Sequence, residues 1–239
     1  MSSTLQPKCL IFDLETVPAH EGEAERIIKI GALRPDTGEH FETATNKQLG
    51  AGLARLEHMA DGASFVLGHN IVAHDLTILR AAAPDAALLR LPAIDTLILS
   101  PLAFPQNPYH RLIKDYKLIR DSLNSPLSDC RATLTLFADQ QDAFERLAAS
   151  NGNELRCYQA LLAARTGAGL GNFFLALTRE PPATLERMAQ WLPTVLAETD
   201  PSLSRTLKVC STRLRSLIED DLQRPELHWP LAYALAWLR

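Results

Sequence analysis

Short apolar runs with the length of buried strands occur only in the first part of the chain, and this asymmetry constrains the fold more than any other feature. Residues 9–12 and Phe65–Gly68 are two such runs, and Arg26–Leu33 is rich in isoleucine. The turn residues 34–38 predict that Arg26–Leu33 pairs with 40–45 as a hairpin. Because amphipathic helical segments alternate with these strands, an α/β domain is predicted.

The other predicted elements divide the chain in two. In the first part they are helices over 46–59 (capped by Asn46), 76–83, 111–120 and 129–141, a strand over 93–99 and a proline-containing loop over 101–108. From about residue 138 only helical periodicity remains, at 154–165, 183–196 and 203–222. We therefore predict an α/β domain over 1–140 and an all-helical appendage over 141–239. The three tryptophans of the appendage are expected to pack between helices. Its apolar last residues suggest that a further C-terminal region follows.

Composition narrows the classes of function. Hydrophobic residues make up 46% and charged residues 22% of the 239 residues, and the net charge is −4. A chain-wide polyanion-binding surface is excluded, so nucleic acid would be bound through a local basic patch or metal ions. Cys9, Cys130, Cys157 and Cys210 lack zinc-site spacing, and we expect reduced, buried thiols. Neither a signal peptide nor a membrane-spanning run is visible, which predicts a cytoplasmic protein.

Two acids stand at the end of the first predicted strand. Asp13 and Glu15 are two residues apart, so on a strand their side chains point to the same side. Adjacent carboxylates repel each other unless a cation neutralises them, and hard oxygen ligands suit Mg²⁺ or Mn²⁺. The alternative is a solvated strand end that carries two exposed acids.

Two further acids open predicted helices. Asp75 ends the segment Gly-His-Asn-Ile-Val-Ala-His-Asp, directly after a buried strand, and Asp129 heads an apolar helical stretch. Each of these acids, taken alone, is most simply explained as a helix cap or first-turn acid.

In combination, the segments resemble the DEDD (DnaQ-like) superfamily of 3′→5′ exonucleases. The matching features are Phe-Asp-Leu-Glu-Thr from residue 12, the Gly-His-Asn…His-Asp segment, an Asp opening a late helix, and Arg26–Leu33 as the strand after the first motif. The resemblance covers about residues 10–137, and its first two motifs are the more specific. It implies an RNase H-like fold, a mixed central sheet flanked by helices. It also implies two Mg²⁺ or Mn²⁺ ions held by Asp13, Glu15, Asp75 and Asp129, with Asp13 bridging both. Two ions about 4 Å apart assist in-line displacement at a phosphodiester.

The resemblance fails at the general base. The family's histidine subtype has a His five residues before the last Asp, and the tyrosine subtype has a Tyr four residues before it. Here these positions are Asn124 and Ser125, neither of which can accept a proton near neutral pH. Three alternatives stay open. In the first, another side chain acts as the general base; His110 is the preferred candidate, followed by His74 and Lys114. In the second, the metal ions activate the water without a side-chain base. In the third, the module is catalytically degenerate.

Residues 107–118 and 124–129 resemble one subgroup more specifically, the exonuclease-like module at the N-terminus of some bacterial RecQ-type helicases. A fused or associated helicase is therefore an expected partner. The candidate substrate contacts include a basic, tyrosine-containing helix face that either grips phosphates or is simply solvated. The full candidate set is Leu14, Thr16, His69, Asn70, His74, Tyr109, Arg111, Lys114 and Lys117.

The predicted function is removal of nucleotides from DNA 3′ ends, single strands being favoured. One alternative is an inactive DNA-binding module of a helicase. The other is a 3′→5′ RNA exonuclease, because no residue discriminates RNA from DNA.

Overall fold

The computed structural model describes residues 7–18, 25–43, 48–107, 110, 125–163, 169–197 and 224–238. These residues form two compact units. The sheet unit contains the described residues up to Leu97 and those from 125 to Ala138. The helical unit contains the described residues from Ile98 to His110 and from Asp139 onward.

The sheet unit is built on five strands in the order β3-β2-β1-β4-β5. They are β1 Cys9–Val17, β2 Arg26–Leu33, β3 His40–Glu42, β4 Phe65–Gly68 and β5 Ala93–Asp95. The β1–β2 and β2–β3 pairs are antiparallel, whereas β4 pairs in parallel with both β1 and β5. The predicted α/β class, the mixed sheet and the β2–β3 hairpin are confirmed. Strand β3 ends at Glu42, three residues before the predicted end.

Strand β1 lies at the centre of the sheet and has two different faces. Leu10, Phe12 and Leu14 join the apolar core that includes buried residues of helices α1 (Leu49–Ala60) and α2 (Asp75–Ala82). Since successive side chains of a strand alternate between faces, Asp13 and Glu15 lie on the opposite face. The acids are thus separated from the main core by the thickness of the sheet.

A long helix, α4, begins on the acid-bearing face. It spans Pro126–Ser150 and carries Asp129 in its first turn. The hydroxyl of Ser125 accepts a hydrogen bond from Ser128 N–H (3.2 Å) and donates one to Glu42 Oε2 (2.6 Å), so it acts as a helix cap. Leu127 N–H also points to Glu42 Oε2 at 3.4 Å, and a carboxylate is favourable at a helix N-terminus. The start of α4 is thereby tied to β3.

The prediction of a strand or extended segment over 93–99 and a loop over 101–108 is confirmed for 93–95 and 104–107 but is wrong for the residues between them. β5 stops at Asp95, and helix α3 follows over Thr96–Ala103. The reason is local, because the Asp95 carboxylate accepts the N–H of Leu97 (2.9 Å) and so starts a helix. Pro101 lies inside that helix and removes one intrahelical hydrogen bond, and the helix ends two residues later.

Other predicted helix bounds differ by up to three residues, except that α4 continues nine residues beyond the predicted end at 141. Helix α1 begins at Leu49 with Gln48 as its cap residue, and α2 begins at Asp75 rather than 76. The proposed cap Asn46 and the predicted helices 111–120 and 203–222 lie outside the described residues.

In its described residues, the helical unit contains helices and a short 3₁₀ turn but no strand. After α4 come α5 Gly152–Leu162, α6 Gly169–Thr178, α7 Leu185–Ala197 and α8 His228–Leu238. Helix α5 packs against α6, α7 and α8. The rings of Phe144, Phe173 and Phe174 meet edge to face at centroid distances of 5.2–5.6 Å. Helix α6 was not predicted because its glycines at 169 and 171 resemble a chain break.

The tryptophan prediction holds only in part. Trp229 is half-buried, stacks on Tyr233 (5.4 Å between centroids) and points its ring N–H to Ile98 O. Trp237, however, is 65% exposed, because the buried side of α8 is formed by Leu231, Ala232, Leu235 and Ala236.

The cysteine prediction is confirmed for Cys9, Cys130 and Cys157, which are buried and free; Cys210 lies outside the described residues. None of the helices in the described ranges combines the length and apolarity that crossing a membrane requires.

Candidate metal centre

Three acids converge on one face of the sheet unit. Asp13, Glu15 and Asp129 each offer a carboxylate oxygen, and these oxygens lie within 4.8 Å of one another. Asp129 is only 9% exposed, and the two acids of β1 are partly buried. Three hard oxygen donors at this spacing are the ligand type that Mg²⁺ and Mn²⁺ prefer. The cluster can therefore hold a divalent metal ion.

The absence of a side chain at Gly31 lets the first turn of α4, which carries Asp129, approach the strand that bears Asp13 and Glu15. Gly31 pairs with Asp13 across β1 and β2. A Cβ at this position would lie 2.4 Å from backbone atoms of Pro126 and Leu127. Real Cβ atoms do not approach backbone this closely, so a side chain here would force the first turn of α4 outward. The Sγ of buried Cys130 lies 3.5 Å from Gly31 O at the same contact.

The fourth predicted acid takes a different position. Asp75 is 2% exposed, and its Oδ1 accepts a 2.8 Å hydrogen bond from the backbone N–H of Leu14. Burial, reinforced by repulsion from Asp13, raises the pKa of Asp75 to about 8. The structure thus brings three of the four predicted carboxylates together and sets Asp75 beside them with one oxygen bonded to the β1 backbone.

The negative charges of these acids also act on the thiol of Cys130. Burial raises its pKa well above the ordinary value, and the charges of Asp13, Asp75 and Asp129 raise it further. Carboxylates from three separated segments therefore act on one point of the protein. A cation at the cluster would relieve this repulsion.

A second buried acid, Asp95, organises the adjacent loop. It is 2% exposed, and its Oδ1 accepts N–H groups of Asn70 and Leu97 at 2.9 Å each. Its Oδ2 accepts the N–H of Val72 at 3.1 Å. Asn70 adopts a left-handed backbone with φ of 64°. Sequence reasoning missed Asp95, although an acid at the end of a short apolar run is the same signal that identified Asp13.

The histidines of the loop have distinct environments. His69 Nδ1 lies 3.0 Å from the hydroxyl of Thr96, which donates to Gly68 O at 3.2 Å. Burial lowers the pKa of His69, and the charges of Asp95 and Asp129 oppose this shift. His74 occupies the cap position of α2 without a side-chain capping bond.

Of the other predicted site residues, Leu14, Thr16 and His110 lie within the described ranges. The Leu14 side chain is buried in the core, and the Thr16 hydroxyl donates to Glu25 at 3.1 Å. His110 belongs to the helical unit, where burial lowers its pKa and its Nδ1 has no hydrogen-bond partner among the described residues. The remaining predicted residues lie outside the described ranges; they are Tyr109, Arg111, Lys114, Lys117 and Asn124.

No family model, no curated protein and no solved structure matches the chain.

Proposed function

We propose that the chain is a metal-dependent 3′→5′ exonuclease of the DEDD class, with an RNase H-like fold, acting on DNA 3′ ends. The observation that carries the proposal is the convergence of Asp13, Glu15 and Asp129 from strand β1 and helix α4. A solvated strand end would leave the first two acids exposed and apart from the third. The mixed central sheet, with helices packed on it, also supports the proposal.

The chain's residues have separate tasks in this proposal. Asp13, Glu15 and Asp129 hold a first Mg²⁺ or Mn²⁺ ion. Asp75 fixes the backbone between the two β1 acids and offers the oxygen that Leu14 does not use to a second ion. Bound ions would stabilise negative charge on the scissile phosphate during in-line displacement by water. The net charge of −4 is compatible with a nucleic-acid substrate because the ions supply the local positive charge.

The proposal is tested with a single-stranded DNA labelled at its 5′ end, incubated with the protein and Mn²⁺, Mg²⁺ or EDTA. We expect stepwise shortening from the 3′ end with either ion and none with EDTA. Asp13→Asn and Asp129→Asn should each lower the rate about 100-fold or more, because each removes a ligand from a centre worth several kcal/mol. The control is Asp85→Asn, which changes an exposed acid outside the cluster. Shortening that survives Asp13→Asn would contradict the proposal.

The second candidate function is a DNA-binding module that does not cut. It is favoured by Asn124 at the position where the family has its base. This function predicts DNA binding with no shortening in any metal. An RNA strand of the same sequence, assayed in parallel, distinguishes an RNA exonuclease.

A further inference from the structure

In the register of the sheet, His69 follows strand β4 at the position that corresponds to Asp13 on strand β1. Strands β1 and β4 run in parallel, and their last paired residues are Ile11 and Leu67. Asp13 and His69 are each two positions beyond that pair, at the carboxyl edge of neighbouring strands. Asp129 is close enough to act electrostatically on the His69 ring. The ring therefore belongs to the neighbourhood of the acid cluster.

The contacts of the Thr96 hydroxyl favour one position for the proton on the His69 ring. The Thr96 hydroxyl has one hydrogen, and its bond to Gly68 O uses that hydrogen. Thr96 can then only accept from His69, so Nδ1 carries the proton in the 3.0 Å contact. In a neutral imidazole, Nε2 then has a free lone pair. No described residue makes a hydrogen bond to Nε2.

The backbone around the ring is also held in place. The residue after His69 donates its N–H to Asp95, which binds two further N–H groups. The charged groups that act on the ring are Asp95, whose oxygens are occupied in this way, and Asp129. Burial of the ring favours its neutral form against these two negative charges. A neutral, oriented imidazole is the form in which histidine accepts a proton.

We propose that Nε2 of His69 is the general base of the exonuclease reaction and that Thr96 is the positioning residue that fixes its tautomer. This inference rests on the proposed function. Nε2 takes one proton from the attacking water while the water oxygen forms its bond to phosphorus. The bond from phosphorus to the 3′ oxygen of the penultimate nucleotide breaks, and that oxygen takes a proton from solvent. His69 then returns its proton to solvent, so a 5′-mononucleotide is released and charge and atoms balance.

The test is single-turnover hydrolysis of a single-stranded DNA with saturating Mn²⁺ over a range of pH. His69→Ala should lower the rate about 10²- to 10⁴-fold, the usual contribution of a general base. The control is His40→Ala, since the Nδ1 of His40 is also in a 3.0 Å hydrogen bond, here with the backbone carbonyl of Gly38, but His40 is exposed on edge strand β3. The control should keep the wild-type rate. Mn²⁺ affinity should be unchanged in both variants, because the acid cluster stays intact.

Two further readouts separate a base from a structural role. The wild-type rate should fall as pH drops through the pKa of His69, and this acid limb should be missing in His69→Ala. Thr96→Val should lower the rate, and Thr96→Ser should rescue it by keeping the hydroxyl. Nitrogen-15 NMR of the ring should show a proton on Nδ1 in the wild type and mixed tautomers in Thr96→Val. If His69→Ala does not fold, His69→Gln replaces it.

Different results would overturn the assignment of His69 as the base and the proposed exonuclease function. A His69 variant with the wild-type rate and pH profile, alongside an inactive Asp13→Asn variant, overturns the base assignment and leaves the exonuclease proposal standing. A wild-type protein that binds Mn²⁺ and leaves the DNA intact overturns both.

Discussion

The carboxylate of Asp75 accepts a 2.8 Å hydrogen bond from the backbone N–H of Leu14, the residue between the two acids of β1. A contact that spans 61 positions of sequence therefore ties the backbone between Asp13 and Glu15 to the first residue of α2. When Asp75 is ionised, this contact places a second negative charge near Asp13, and the two charges repel each other.

Asp75 should make the metal-free protein less stable as pH rises. Its pKa is about 8 in the folded protein against an ordinary value of 3.8. Between these values the folded state holds a proton that the unfolded state has lost, so stability falls by up to about 1.4 kcal/mol per pH unit. Asp75→Asn keeps an acceptor for Leu14 and should flatten this dependence. Urea unfolding in EDTA at several pH values measures it, and equal slopes in both proteins would refute the assignment.

Gly31→Ala should disrupt the acid cluster without touching any acid. The new Cβ would lie 2.4 Å from the backbone at the start of α4, which must move and take Asp129 with it. We expect a loss of stability of about 1–3 kcal/mol and weaker Mn²⁺ binding. Gly50→Ala is the matched control, since Gly50 lies in α1 with open space around it and alanine favours helix. Unchanged Mn²⁺ affinity in Gly31→Ala would show that α4 does not position the third ligand.

Asp129→Asn should raise the thermal stability of the metal-free protein and lower the stability that is gained from Mn²⁺. In EDTA the variant should melt at a higher temperature than the wild type, because one of three clustered negative charges is removed. Mn²⁺ should stabilise the wild type, by about 2.7 kcal/mol at a hundredfold excess over Kd, and should leave the variant nearly unchanged. Thermal unfolding with and without Mn²⁺ measures both effects. Equal Mn²⁺ shifts in the two proteins would exclude Asp129 as a ligand.

Asp95→Ala should loosen the loop before α2. The substitution leaves three backbone N–H groups without their acceptor, at a cost of about 1–3 kcal/mol for each one that stays buried. The loss should exceed that of Asp85→Ala, which changes an exposed acid. Hydrogen exchange at Asn70 and Val72 should accelerate selectively, and protection equal to the wild type would contradict this role.

Local sequence signals predicted the strands and the acids on them. Arg26–Leu33 and Phe65–Gly68 are found with the predicted bounds because apolar runs between turn signals specify buried strands. The period of two residues placed Asp13 and Glu15 on one side, as their clustering confirms. The strand predicted over 93–99 is too long, because a continuous apolar run does not distinguish a strand from a buried helix.

Long-range contacts were beyond the reach of the sequence. Distant segments are joined by the bond between Asp75 and Leu14, by the approach of α4 to Gly31, and by the bonds from the N–H groups of Asn70 and Val72 to Asp95. Periodicity describes how one segment faces the core. It does not say which oxygen will meet which N–H from another segment.

The late position of α4 in the chain has a consequence for synthesis. A ribosome releases the five strands before α4, and Cys130, which contacts Gly31 from that helix, follows Gly31 by 99 positions. A nascent chain therefore carries the two acids of β1 without Asp129, so the acid cluster that could hold a cation is incomplete. On the proposed function, hydrolytic capacity arises only after translation has passed this helix, so a half-made enzyme leaves nearby nucleic acid uncut.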